Sequence, residues 1–421
     1  MKAEIIAVGS ELLTPHRQDT NSLFLTEQLN KLGIEVVRKT VVGDQREQIR
    51  DAFKEALSRV GLVFSIGGLG PTEDDLTRET VAELLGRKLQ LSNAILRGIQ
   101  ERFRRFGREM PEVNKRQAMV PDGAEPLDNP RGTAPGLWIE HQSQIVVLLP
   151  GPPGELKPMF TTHVEPRLTN YAAGRRLYKR ELRVAGMAES DVEQRIAPIY
   201  TQFTEAETTL LASPGEIQVH LRAWSEGAAA AEKLLNEMTE RIRMALGEAV
   251  FTTEGESLEE VVARELTLNN STIAVAESCT GGLLAERLTS IAGSSSYFLG
   301  GVVCYANNLK TAWVDVPAEI IESKGAVSAE VARALAEGIR RRSGALLGLS
   351  VTGIAGPGGG SAEKPVGTVH IALATGDGGK ERGFHFPGDR ERIRWQASQI
   401  ALDMVRRHFL YSTQTKAPAK G

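Results

Sequence analysis

Three times along this chain a short β-rich apolar run stops at glycine and gives way to a helical pattern. Glu4 to Val8 ends at Gly9, Leu62 to Ile66 ends at Gly67-Gly68, and Thr272 to Ala276 leads to Gly281-Gly282. Short strands alternating with helical periodicity predict parallel strands joined by crossover helices. The chain has 421 residues, more than one core organises, and 41% hydrophobic residues supply the apolar material for two or three cores. The predicted class is therefore α/β and multidomain.

The punctuation places the boundaries. In the first domain, residues 1–168, helical patterns over Asn21 to Leu32 and Arg46 to Arg59 flank strands at Glu35 to Val42 and Gln144 to Leu149. Residues 175–250 read as a small α+β module, with strands at Arg180 to Val184 and Gln218 to Trp224 and helices at Ser190 to Tyr200 and Ala228 to Leu246. It holds no catalytic constellation and reads as a spacer or an assembly surface. Residues 255–411 form a third domain, in which Ser257 and Glu260 make a capping box. Its expected strands are Thr272 to Ala276, Gly301 to Tyr305, Leu346 to Val351 and Thr368 to Thr375. Residues 412–421 are polar and read as a frayed tail.

A formal charge of -3 offers no global argument for nucleic acid. The basic run Arg97 to Arg116 reads as a solvated helix face, or as a clamp on an anionic ligand. Two cysteines, Cys279 and Cys304, make no disulfide framework and no Cys-rich metal site. Lys2 and Glu4 stand where a signal peptide would become apolar, and no long uncharged apolar span follows. The expectation is a cytoplasmic protein with no membrane partner.

Ala276-Glu277-Ser278-Cys279-Thr280-Gly281-Gly282 joins a buried strand to a helix, where ligands collect in open α/β sheets. Free N–H groups there suit a phosphate or a developing oxyanion, and the same residues also make an ordinary helix N-cap. Thr352-Gly353-Ile354-Ala355-Gly356-Pro357-Gly358-Gly359-Gly360 follows another strand, as a flexible loop or a backbone wrap around a ligand. In Tyr305-Ala306-Asn307-Asn308-Leu309-Lys310, the lysine is a solvated charge or, once burial lowers its pKa, a general base. In the first domain, Gly67-Gly68-Leu69-Gly70-Pro71-Thr72-Glu73-Asp74-Asp75 suggests a phosphate cradle. Asp74 and Asp75 would repel bare phosphate and suit a bridging divalent cation, or else they are favourable acids in a first helical turn.

The Ala276–Gly282, Tyr305–Lys310, Gly353–Pro357 and Gly388-Asp389-Arg390 segments, in this order and spacing, resemble the C-terminal domain of the CinA family. That domain is similar to stand-alone nicotinamide mononucleotide deamidases, and the resemblance covers roughly residues 255–410. It implies a Ser–Lys amidase that turns nicotinamide mononucleotide and water into nicotinate mononucleotide and ammonia without a cofactor. Ser278 would be the nucleophile and Lys310 its base, with Tyr305 positioning and Thr280 serving the oxyanion. Glu277, Gly281, Gly282, Asn307, Thr352, Gly353, Ala355, Gly356 and Arg390 would contact the nucleotide, Arg390 through its phosphate. Cys279 is a competing nucleophile that the resemblance disfavours.

Residues 1–168 resemble the molybdopterin-binding family shared with MoaB- and MogA-like proteins. In CinA-type chains this domain looks like a metal-dependent ADP-ribose pyrophosphatase. The resemblance implies Glu11, Asp19, Asp74 and Asp75 as metal-handling residues. Gly68, Gly70, Thr72, Asn114, Arg116, Asn129 and Thr133 would contact the ligand. Thr14-Pro15 stands where the family places glycine, so the loop from His16 to Asp19 is expected to differ. The middle module resembles the family's KH-like linker. A bifunctional nucleotide-recycling homodimer is thus expected; the alternative is a nucleotide- or pterin-binding scaffold with an inactive first domain.

Overall fold

In the computed structural model, residues 1–169, 171 and 174–415 are described, the side chains of 412–415 excepted. Strand Lys2–Val8 is buried from Ala3 onward because both faces of its sheet are covered, and its one buried charge, Glu4, is paired with Arg59. Ala3, Ile5 and Phe64 enter one core with Leu25, Leu29 and Phe160, whereas Ile6, Val8 and Val63 enter a second with Ile49 and Phe53. Each buried phenylalanine stabilises the fold by roughly 1.5–3 kcal/mol. The sheet order is Glu35–Val42, Lys2–Val8, Leu62–Ile66, Gln144–Leu149, Gly136–His141, Ala124–Leu127. The first four strands are parallel and the last two antiparallel. The glycine turns after Lys2–Val8 and Leu62–Ile66 therefore meet at one edge, at the strands' carboxyl ends.

The chain divides into two units, Met1–Leu177 with Trp224–Ala228, and Tyr178–Ala223 with Ala229–Gly421. The second unit holds the middle module as well as the C-terminal domain. The module packs helices Glu189–Tyr200 and Ala228–Leu246 on a sheet ordered Ala206–Ser213, Glu216–Ser225, Arg176–Ala185, Val250–Thr252, around Val192, Val219, Leu221, Leu235 and Ile242.

The C-terminal sheet runs Phe298–Val303, Ile273–Glu277, Leu347–Gly353, Thr368–Thr375, Gly378–His385, the first three strands parallel. Ala274 and Ala276 face helix Ala329–Ser343 through Val331 and Leu335, and Ile273 and Val275 face Leu258–Leu268 and Arg390–Thr415. The Ser257/Glu260 capping box is present.

Two expectations shift. The strand expected at Gly301 to Tyr305 spans Phe298–Val303, because register with Ile273–Glu277 ends at Val303 and releases Cys304–Ala306 as a loop. The frayed tail does not begin at Ser412, since the closing helix runs to Thr415; the sequence meets no proline there before Pro418. Residues 416–421 of the expected tail lie outside the described residues. Among the described residues no helix is long and apolar enough to cross a membrane.

Candidate functional site

Ser278 is the first residue after strand Ile273–Glu277 and is 8% exposed. Its N–H still donates to Val351 O (2.9 Å), so the backbone leaves the sheet only after it. Cys279 turns into the hydrophobic core instead. Burial pushes its thiol up to about 12, so it stays protonated near neutral pH. Ser278 and Cys279 are thus separated by direction and by chemistry.

The turn is locked from within. The Glu277 carboxylate, 1% exposed, accepts from Gly282 N (3.0 Å), Leu284 N (3.1 Å) and Ala285 N (2.8 Å). Gly281 N donates to Ser278 O (3.2 Å). The amides of Gly281 and Gly282 are therefore spent inside the protein, and the Glu277 carboxylate is taken up in capping the helix. Arg394 holds the turn from outside, with Nε and Nη2 both donating to Thr280 O (3.1 and 2.6 Å). Thr280 is fully buried with an unpartnered hydroxyl, and its N–H makes no hydrogen bond among the described residues.

Lys310 follows on helix Asn307–Val314. It is 1% exposed and donates to Tyr305 O (2.9 Å), with no carboxylate partner among the described residues. Burial lowers its pKa below the ordinary lysine value, and the buried thiols Cys304 and Cys279 stand near its amine. Cys304 Sγ lies against Glu277 O (3.6 Å), which brings the end of the edge strand to the Ser278 turn.

Tyr305 joins two parts of this site. Its carbonyl takes the Lys310 amine, and its exposed hydroxyl accepts from Arg390 Nη2 (3.1 Å). Arg390 Nη1 donates to Gly356 O (2.8 Å), tying in the glycine loop. Gly353 sits between Val369 and Cys279, and Ala355 is in the core. Asn307 is exposed at the start of its helix. Thr352 does not reach the site: it is fully buried and its hydroxyl donates to Ala326 O (2.8 Å).

In the first unit a cleft of about 390 Å³ opens at the strands' carboxyl ends. Glu11, Gly68, Gly70, Thr72, Asp74, Asp75 and Thr133 line it, joined by Asp44, Gln117 and Glu155. Gly68 is required there: its φ is +68°, and a Cβ would lie 2.0 Å from Thr77 Oγ1. Asp75 folds back on the loop, accepting from Thr72 N (2.9 Å) and from the Thr72 hydroxyl.

Four expected residues stand behind this cleft. Asp19 caps helix Thr20–Lys31 through Ser22 N (2.9 Å). Arg116 clamps the loop from behind through Thr72 O (2.6 Å) and Asp75 O (3.2 Å). Asn114 is buried and donates to Gln117 (2.9 Å). Asn129 organises its own loop, accepting from Gly132 N (2.8 Å) and donating to Glu155 (2.7 Å). Among the described residues no three His, Cys, Asp or Glu side chains gather as a metal cage. The ring of carboxylates still offers the oxygen donors that magnesium takes one or two at a time, alongside substrate phosphates.

Sequence reading gave no role to Arg394, Asp44 or Glu155. Arg394 had a signal, one helical turn beyond Arg390 on the same face; Glu155 had one in the loop Pro150-Gly151-Pro152-Pro153-Gly154-Glu155 that follows strand Gln144–Leu149; Asp44 had none.

Residues 255–409 match the model for the CinA C-terminal domain, residues 4–170 that for a probable molybdopterin binding domain, and residues 179–252 that for the damage-inducible protein CinA KH domain. A CinA-like protein of Koribacter versatilis is 48% identical over 414 residues, 97% of this chain and 100% of that one. A CinA-like protein of Acidobacterium capsulatum is 50% identical over 415 residues, again 97% and 100%. A crystal structure described as the protein CinA with unknown function, from Thermoplasma acidophilum, is 34% identical, covers 40% of this chain and 97% of its own, and has a TM-score of 0.38.

Proposed function

The chain belongs to the CinA family, and from that premise we propose that its C-terminal domain is a Ser–Lys amidohydrolase acting on nicotinamide mononucleotide. The observation that carries the reading is Lys310: a buried amine, without a carboxylate partner, among residues that flank Ser278. A lysine kept for charge pairing would sit against an acid. This one is pushed towards its neutral form, in which it accepts a proton while still donating to Tyr305 O.

In the proposed reaction Ser278 Oγ attacks the amide carbon and its proton passes to Lys310 Nζ. The Thr280 N–H, left unspent by the turn, is the donor available to stabilise the developing oxyanion. Collapse of the tetrahedral adduct breaks the C–N bond. Lys310 returns the proton to the leaving nitrogen, and ammonia departs. Water, deprotonated by Lys310, then cleaves the acyl-Ser278 ester to the carboxylate. Arg390, oriented by Tyr305 and Gly356, pairs with the substrate phosphate.

For the N-terminal cleft we propose a divalent-cation-dependent ADP-ribose pyrophosphatase. Glu11 and Asp74 would hold the cation, which neutralises the bridging phosphates when bound. Asp75 and Gly68 shape the phosphate loop. Two of the four expected metal-handling acids, Asp19 and Asp75, are engaged by the protein's own N–H groups, which favours one second reading, a nucleotide- or pterin-binding module without turnover. Assembly as a homodimer and a cytoplasmic setting belong to the same proposal.

The test is ammonia release from nicotinamide mononucleotide, without added metal, by the wild type and by Ser278→Ala. Loss of turnover with retained binding is expected. Turnover that survives in the mutant refutes Ser278 as nucleophile; a wild type that binds without turnover refutes the amidase. For the other cleft, release of AMP from ADP-ribose that chelator abolishes is expected, and binding without release supports the second reading.

A further inference from the structure

The middle module carries no catalytic constellation, yet one of its turns reaches the helix that closes the C-terminal domain. Gly215, at φ +79°, turns the chain between strands Ala206–Ser213 and Glu216–Ser225 and lies against Gln399 of helix Arg390–Thr415. A Cβ there would stand 3.1 Å from Gln399 Cγ. Beside it, Glu216 Oε2 accepts from Gln399 Nε2 (3.1 Å). Gln399 is 1% exposed, and among the described residues its side-chain N–H groups have no other partner. Its oxygen accepts from Arg287 Nη2 (2.5 Å).

Arg287 carries this contact to the Ser278 turn. It is 3% exposed on helix Leu283–Thr289, donates also to Glu259 Oε1 (2.5 Å) and Ser398 Oγ (2.8 Å), and stacks over Trp395. Its helix starts at the Ser278 turn, where the Glu277 carboxylate caps it. The closing helix meets the same turn through Arg394 and Thr280 O. The turn is therefore clamped by two helices, and the line Glu216–Gln399–Arg287 fixes one against the other. A buried N–H group left without a partner is costly, so removing Glu216 forces Gln399 and its helix to move.

We infer that Gly215 and Glu216 are positioning residues for the amidase: through Gln399 and Arg287, the middle module holds the Ser278 turn in its working geometry. The inference rests on the amidase reading and extends it to a second module. Neither residue touches the proposed reacting atoms. Arg390, proposed to take the substrate phosphate, is held separately by Tyr305 and Gly356. The effect therefore falls on kcat rather than on KM.

The full chain is tested as Glu216→Ala, Glu216→Gln and Gly215→Ala, with far-ultraviolet circular dichroism as the check on folding. Glu216→Ala strips Gln399 of its acceptor. Glu216→Gln keeps one oxygen for Gln399, since Arg183 retains Glu181 (2.7 Å). Gly215→Ala presses on the closing helix by an independent route, so a variant that fails to fold leaves the other to decide. Glu216→Ala and Gly215→Ala should each lower kcat for nicotinamide mononucleotide about three- to thirtyfold, with KM changed less than about twofold. Glu216→Gln should keep most of the wild-type kcat. Amide hydrogen exchange across residues 276–290 should rise in Glu216→Ala and Gly215→Ala. An unchanged kcat in the folded variants overturns the inference, and so does a Glu216→Gln as impaired as Glu216→Ala. If the wild type releases no ammonia but exchange at 276–290 rises in Glu216→Ala, the amidase reading falls and the brace stands. If exchange is unchanged as well, both fall.

Discussion

Glu277→Gln should separate a helix cap from a ligand contact. The native carboxylate takes three backbone N–H groups with both oxygens while almost fully buried. An amide offers one acceptor oxygen and turns an NH₂ towards a backbone donor. At least one charge-assisted bond is lost and another weakened, at a net cost of about 1–1.5 kcal/mol each. The total is about 2–3 kcal/mol, a sizeable share of the 5–15 kcal/mol typical of a domain. For a unit of this size that lowers the melting temperature by roughly 4–12 °C. The assay is thermal melting by far-ultraviolet circular dichroism, with amidase kinetics measured well below the transition. KM for nicotinamide mononucleotide should hold, because Glu277 faces the helix and not solvent. A melting temperature within a degree of wild type would refute the cap. A large rise in KM with unchanged stability would make Glu277 a ligand residue after all.

If Lys310 is the base of the proposed amidase, that activity is pH-dependent. Because burial lowers its pKa, kcat/KM should rise with pH through a midpoint below the ordinary value of 10.5, and Lys310→Met should abolish the activity. The folded pKa lies below the unfolded one, so the unfolded chain holds the proton more tightly between them. Stability from this residue is therefore present above pH 10.5 and is lost as pH falls through the folded value; Lys310→Met should melt higher than wild type at neutral pH. Cys279→Ala should keep most amidase activity and lose about 1–2 kcal/mol by urea denaturation, as expected for a buried thiol that packs and does no chemistry; complete loss of activity would reopen the choice of nucleophile. Gly68→Ala should abolish ADP-ribose cleavage and leave ammonia release unchanged, since the added methyl collides with Thr77 in the N-terminal unit alone; normal cleavage would show that the loop need not keep this shape.

The sequence by itself determined the strands that carry the sites. Lys2–Val8, Leu62–Ile66 and Ile273–Glu277 are covered on both faces, so their apolar runs and terminal glycines are local signals. The turn that carries Ser278 and the helix that carries Lys310 both fall in motif segments that the family resemblance marked out. Strand Gly378–His385 was not: glycine-rich, without a β-branched residue, and at a sheet edge, it carries no strand periodicity. Side-chain direction was not legible either. Thr352 and Glu277 sit in motif positions, yet one bonds Ala326 and the other caps the helix ahead of it. Only the tertiary structure decided which groups meet. Asp44 and Glu155 come together at the N-terminal cleft across more than a hundred residues of chain. Arg394 reaches Thr280 from the closing helix. Local periodicity reports how deeply a residue is buried; what it is buried against depends on crossovers that bring distant strand ends to one edge, and no short stretch of sequence encodes that.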